Sequence, residues 1–417
     1  MSLHIIEEPI KLPPQKTGGS GRYFLSMPHH PMFALGSLQA VLVMAWWLAD
    51  LGGRYAGWYA PLQWTIPPVW AHLYLMIFTL FPLYMFGFLM TTYSRWMAGK
   101  PVSPRYYLPT AFLLAASLAL GYAGLICGKG LLMVALLLHL AGWGMGIYTL
   151  LKVHLNAQQP GTVHTIVTST VLILGWWLLL TLAGGVYLDN PSLVATARSG
   201  GIWWFLFPVF FSVSHRLIPF FSSVVIPGYQ LVQPRSGLWL VVCGGLVHGA
   251  LEMTGKHHLA WLIDLPMAAC ALWLSYAWDF RASFRARILA MLHIAFVWMG
   301  FALGLYGLQS LSDFSGWSLQ LGRGPLHALL AGYFASMLVA MSTRVTLGHS
   351  GRPLSADNQA WGIFLLVQIA ALLRVGAEFP AISAYAVPLY LASALLWLAA
   401  FVTWFFKFTP MYWRPTD

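Results

Sequence analysis

Seven histidines lie inside or at the edge of long apolar runs of this chain: His72, His139, His164, His215, His248, His293 and His327. Neutral imidazole is the common side-chain ligand of haem iron and of copper. One histidine in such a run is most simply a hydrogen-bonded packing residue. Seven beside almost no Asp or Glu are harder to assign to packing, because ionisable groups within a membrane span are costly and mark functional positions by default. The same shortage of carboxylates removes the acid relay that a proton-coupled transporter needs.

Depth singles out a pair. His72 and His327 each stand about two residues inside the start of a run, and at ~1.5 Å per helical residue they reach nearly equal depth. Two histidines at one depth on facing helices can sandwich a haem iron. The residues that follow, Leu73, Leu75, Ile77 and Phe78 after one and Ala328, Leu329, Leu330 and Ala331 after the other, make apolar walls for a porphyrin. His215, His248 and His293 are candidates for a second metal centre. His215 lies about thirteen residues below one membrane face and His293 about six above the other, roughly 19 and 9 Å, so in a ~30 Å core they share a depth. His248, about six residues or ~9 Å below the first face, belongs nearer the His72 and His327 level.

These side chains need helices to position them. The 417 residues are 59% hydrophobic and 8% charged, where a soluble domain carries about 25% charge, so the chain cannot solvate a globular surface. Runs long enough to cross a bilayer fall near 33–51, 70–94, 107–127, 131–152, 164–187, 201–226, 237–254, 258–278, 287–310, 325–346, 359–377 and 382–408. They predict an all-α integral membrane protein of about twelve transmembrane helices. A cytoplasmic arm (1–28), one membrane domain (29–408) and a cytoplasmic tail (409–417) are expected. The arm lacks the apolar run of a signal peptide, which makes the first helix an uncleaved anchor. With the amino terminus inside, fifteen Lys and Arg fall on the inner side and six on the outer. That bias places both termini in the cytoplasm of a bacterial inner-membrane protein, and it accounts for the net charge of +11 without nucleic acid. Cys127, Cys243 and Cys270 are scattered and read as packing residues.

An internal echo divides the helices. His72 precedes Thr91-Thr92 and Gly99-Lys100-Pro101-Val102-Ser103, and His327 precedes Thr343-Arg344 and Gly351-Arg352-Pro353-Leu354-Ser355. This spacing predicts three four-helix units: helices 1–4, 5–8 and 9–12.

The stretch Leu326-His327-Ala328-Leu329, with Met341-Ser342-Thr343-Arg344-Val345-Thr346-Leu347-Gly348-His349-Ser350-Gly351-Arg352-Pro353-Leu354, resembles the signature of the NnrS family. That family comprises bacterial haem- and copper-containing membrane proteins associated with nitric oxide metabolism. His30-Pro31-Met32-Phe33, Gly87-Phe88-Leu89-Met90-Thr91 and Arg216-Leu217-Ile218-Pro219-Phe220-Phe221 agree with it, so the resemblance covers most of the chain. The family's W-H-A-H-E motif appears here as Val69-Trp70-Ala71-His72-Leu73, with one histidine and the glutamate replaced, and His215 stands where glycine often precedes the arginine. The three-arc arrangement is also similar to the catalytic subunit of haem–copper oxidases and nitric oxide reductases.

The resemblance implies haem b and copper as cofactors, nitric oxide as small-molecule ligand, and a place in nitric oxide metabolism or stress resistance. Nitric oxide reduction is the catalytic form of that expectation. Arg216 is expected to pair with a haem propionate or to cap backbone carbonyls. The rival reading is a metal or haem transporter without redox catalysis. Stoichiometric haem that survives detergent washing separates the two.

Overall fold

The computed structural model describes residues 20–159, 161–317 and 319–414. Of the expected arm, only a short helix, Ser20–Phe24, and the turn after it fall among them. The described residues contain no strand.

Among the described residues, eleven helices are long and apolar enough to cross a membrane: α1 (His29–Arg54), α2 (Pro68–Trp96), α3 (Pro104–Cys127), α4 (Lys129–Leu155), α5 (Val163–Tyr187), α6 (Pro191–Val225), α7 (Arg235–Met253), α9 (Arg287–Ser315), α10 (Gly324–His349), α11 (Asn358–Gly376) and α12 (Pro380–Tyr412). Between α7 and α9 lies the shorter apolar helix α8 (Trp261–Ala277), 17 residues. This is the lower limit for a span, so the expected twelve helices are present. Helix α6 starts ten residues earlier than the apolar run suggests. Asn190 caps it by accepting from the Ser192 and Leu193 N–H groups, and Pro191 fits the first turn because it lacks the N–H that would go unpaired there.

Side chains on the rim face outward without polar partners. Phe112, Leu155 and Tyr276 are 72%, 86% and 83% exposed, as a lipid-facing surface requires. The centre is formed by α2 and α6, whose apolar windows are 89% and 83% buried, with α9 and α10 at 72%; α12 is 33% buried. Phe81 of α2, Phe210 of α6 and Phe334 of α10 meet there, with ring centroids 5.5, 6.0 and 4.6 Å apart. Beside them lies an apolar cavity of about 60 Å³, walled by Phe33, Tyr84, Met337 and Met341. Close packing depends on small residues. A methyl group on Gly332 would stand 2.5 Å from the Trp298 ring.

The three central helices share a further feature. Each contains a π-helical stretch: Tyr74–Leu80 in α2, Gly201–Leu206 in α6 and Ala328–Ala335 in α10. The recurrence at every fourth helix matches the three four-helix units read from the sequence. A π turn breaks the regular i→i−4 ladder, and side chains take up its groups. In α2 the Leu75 carbonyl accepts from Gln39 Nε2 at 3.0 Å and from the Thr79 hydroxyl.

Phe24 stacks on Trp413 with centroids 3.9 Å apart, so the two described ends of the chain meet at one face of the bundle. This face is called terminal below, and the opposite one distal.

Candidate functional site

His72 and His327 sit at the distal end, each immediately before a π stretch. Pro68 opens α2 four residues before His72, and Pro325 opens α10 two residues before His327. Both rings are partly exposed. The His72 ring stacks on Trp47 of α1, with centroids 4.0 Å apart and planes 20° from parallel. Its Nδ1 is buried and has no hydrogen-bond partner. The Nδ1 of His327 lies 2.9 Å from the Arg323 carbonyl. A carbonyl only accepts, so His327 donates through Nδ1 and keeps a free electron pair on Nε2.

Three arginines surround the pair. His72 lies within electrostatic range of Arg374, Arg54 and Arg323, and His327 within range of Arg374, Arg323 and His72 itself. Two of them have anchored side chains. Arg54 pairs with Asp50, which is buried and also accepts from Trp64 Nε1 at 3.0 Å. Arg374 donates to Glu378 Oε1 at 2.6 Å, and the other oxygen of Glu378 accepts from the Arg323 backbone N–H at 3.0 Å. Burial alone would raise the Glu378 carboxyl, but Arg323 and Arg374 hold it below the usual carboxylate range. The distal end therefore presents two imidazoles near the fixed guanidinium groups of Arg54 and Arg374, with Arg323 beside them.

The expected second centre does not assemble. His215 contacts His164, Nδ1 to Nε2 at 3.1 Å, and its Nε2 donates to the Pro234 carbonyl at 3.2 Å. His293 Nε2 lies 2.9 Å from the Ser222 hydroxyl. His248 Nδ1 lies 2.7 Å from Asp264 Oδ1, under the Trp203 ring. Each thus has a partner of its own, and no group of three or more His, Cys, Asp or Glu among the described residues is arranged to hold a metal. Equal depth is not adjacency: α6 and α9 turn these rings toward different neighbours. The structure thus gives His215, His293 and His248 separate neighbours.

Arg216 also departs from expectation. Its guanidinium lies 4.6 Å from the Trp96 ring centroid. Trp96 ends α2, 24 residues from His72 and therefore ~36 Å along the axis, so Arg216 cannot reach a group between His72 and His327. Pro219 cannot supply the N–H that would bond the His215 carbonyl, and Gln233 Nε2 does so instead at 2.8 Å.

Sequence reasoning missed Asp50 and Asp264, both buried within spans. A signal for Asp264 was available. His248 stands five residues before the end of α7 and Asp264 three after the start of α8, so the short connection brings them level. The rim arginines had no such signal, because Arg54, Arg323 and Arg374 each lie at a helix end where a loop charge is unremarkable.

Twelve apolar helices around a buried core, with polar side chains gathered at the two ends, define a multi-span helical membrane protein. The family model for NnrS protein matches residues 23–416, nearly the whole of the chain, and the chain belongs to the NnrS family. The comparison with curated proteins gave no match.

Proposed function

We propose that this protein holds a haem b between His72 and His327 and acts in nitric oxide metabolism or nitric oxide stress resistance. One observation carries the reading: two imidazoles from central helices lie within electrostatic range of one another at the distal end, with Arg323 and Arg374 near both and Arg54 near His72. The donor set suits the group. The Arg323 carbonyl fixes the tautomer of His327 and leaves Nε2 for iron, as metal-ligating histidines require. His72 has no hydrogen bond that would have to be broken at its buried Nδ1, and Trp47 holds its ring plane. Arg54, Arg323 and Arg374 take the role expected of Arg216, offering guanidinium groups to the propionates.

His72 and His327 would hold the haem through their imidazole nitrogens, and the group would supply electron transfer when bound. Asp50 holds the Arg54 guanidinium and Glu378 that of Arg374, and the apolar side chains below them would keep water from the ring. Nitric oxide comes to this reading from the family resemblance. The bias of Lys and Arg toward the terminal face supports placing that face in the cytoplasm and the chain in a bacterial inner membrane.

The test is a reduced-minus-oxidised absorbance spectrum of the purified protein. His72→Ala and His327→Ala should each convert a six-coordinate low-spin haem to a five-coordinate or absent one, while His258→Ala leaves it unchanged. A parental spectrum in both core variants refutes the site. Reporter fusions after Lys100 and Arg285 should report cytoplasm and a fusion near Asp189 the outside; the reverse pattern refutes the topology.

A further inference from the structure

The apolar cavity beside Phe81 and Phe210 takes no part in holding a group at the distal end. It lies at mid-depth in the bundle. Of its lining residues on α2, Phe81 stands nine residues beyond His72 and Phe88 sixteen, ~13 and ~24 Å along the axis of a ~30 Å core. Phe33 of α1, Val209 of α6 and Met337 of α10 complete the walls.

Polarity and size together select what this space can hold. Among the described lining residues only Tyr84 and Ser342 carry a hydroxyl, and none carries a charge. The Ser342 hydroxyl donates to the Val339 carbonyl at 3.3 Å, and that of Tyr84 is buried without a hydrogen-bond partner. A buried water typically makes about three hydrogen bonds, and these walls offer it two groups at most. Such a cavity stays dry. Its volume is about 60 Å³. A dry cavity of ~150 Å³ admits benzene, with six heavy atoms, so in proportion this one admits roughly two. An aromatic ring or a lipid chain is excluded. The walls suit a small apolar guest, because aromatic rings and Met337 thioether sulfur gain contact energy through dispersion without needing a polar partner. A way in exists. Phe88, Val213 and Met341 are only partly buried, and each lies on the terminal side of the phenylalanine trio.

We infer that the central cavity is a binding site for one small apolar gas molecule of diatomic size, with the Tyr84 hydroxyl on its wall as the one donor left for the guest's lone pair. A guest there lies ~13 Å or more from the level of His72, too far to bond to anything held at the distal end. The site therefore holds the gas within the bundle and does not itself react with it. Nitric oxide belongs to this class. Naming it as the natural guest rests on the reading above; the cavity does not.

Xenon, which enters dry apolar cavities, is the probe. Crystals of the full-length protein are pressurised with xenon, and its anomalous scattering locates it. One xenon is expected against Phe210 and Met337, and admitting nitric oxide as competitor should displace it. Val213→Phe, whose ring fills the space, should lose the xenon. Met337→Ala enlarges the space and should admit benzene, which the parent excludes, so the site is tested in both directions. Ordered water in the parent cavity, no xenon there, xenon undisturbed by nitric oxide, or equal xenon in Val213→Phe overturns the inference. His72→Ala should lose haem and keep its xenon. Xenon bound at the centre of a protein that holds no haem would remove the haem reading and leave this site standing.

Discussion

The His248–Asp264 pair allows its energetic weight to be worked out in advance. Asp264 is wholly buried and its carboxyl accepts from His248 at 2.7 Å; among the described residues its second oxygen is buried without a partner. Neutral hydrogen bonds between membrane helices average only ~0.6 kcal/mol, because separated helices find other partners. A bond to a charged group contributes more, ~1.5–3 kcal/mol, and stripping one member from a buried pair costs ~3–5 kcal/mol because the other is stranded. Asp264→Leu strands the imidazole N–H against Trp203 and should therefore destabilise by about 3 kcal/mol. Asp264→Asn still offers an oxygen to the same N–H and should cost about 1 kcal/mol. Replacing both, His248→Phe with Asp264→Leu, removes the stranded group and should cost less than the two single changes added together. The assay is equilibrium unfolding in mixed detergent–SDS micelles, with a double-mutant cycle over the four proteins. A coupling energy near ~2–3 kcal/mol is expected; a value at or below the ~0.6 kcal/mol average would refute the reasoning, showing that this pair is worth no more than an ordinary interhelical bond.

Glu378 carries a pH dependence with a definite sign. Its folded carboxyl is held below the usual range, so its contribution is present above the unfolded value of about 4.3 and is lost as pH falls through the lower folded value. Acid titration of the folded protein should show a distal-end transition on that acid side, read by Trp fluorescence and by the haem band. Glu378→Gln should remove it, and persistence of the transition in that variant would assign it to another group.

The helices were legible because their signal is compositional: a run of apolar residues about twenty long has few alternatives. Depth was legible too, since rise per residue is constant, and so His72 and His327 could be matched along the axis. Rotation was not. His215 and His293 were level on paper, yet facing directions depend on where a helix changes its pitch, and α6 contains both a π stretch and Pro219. Capping is a similar case. Asn190 extends α6 by ten residues into a segment whose polarity reads as loop. His29 and His30 stand more than 300 residues from His349. Their contact joins the first helix to the tenth, and no local pattern in one sequence reports that.

The π stretches have a consequence for how the two ends of the protein relate. Each extra residue in a helical turn advances the side chains that follow by about 100° around the axis. In α2 that offset falls between His72 and the central Phe81, and in α10 the stretch runs from just after His327 through Phe334. The face presented at the distal end and the face packed at the centre therefore have independent phases on one rod. A single-residue deletion within Tyr74–Leu80 would restore a regular helix, and would keep Phe81 in place only by swinging His72 about a quarter-turn away from Trp47. Distal and terminal chemistry are geared separately, and the π turns in α2, α6 and α10 are the couplings at which one end can be re-aimed while the aromatic hub stays still.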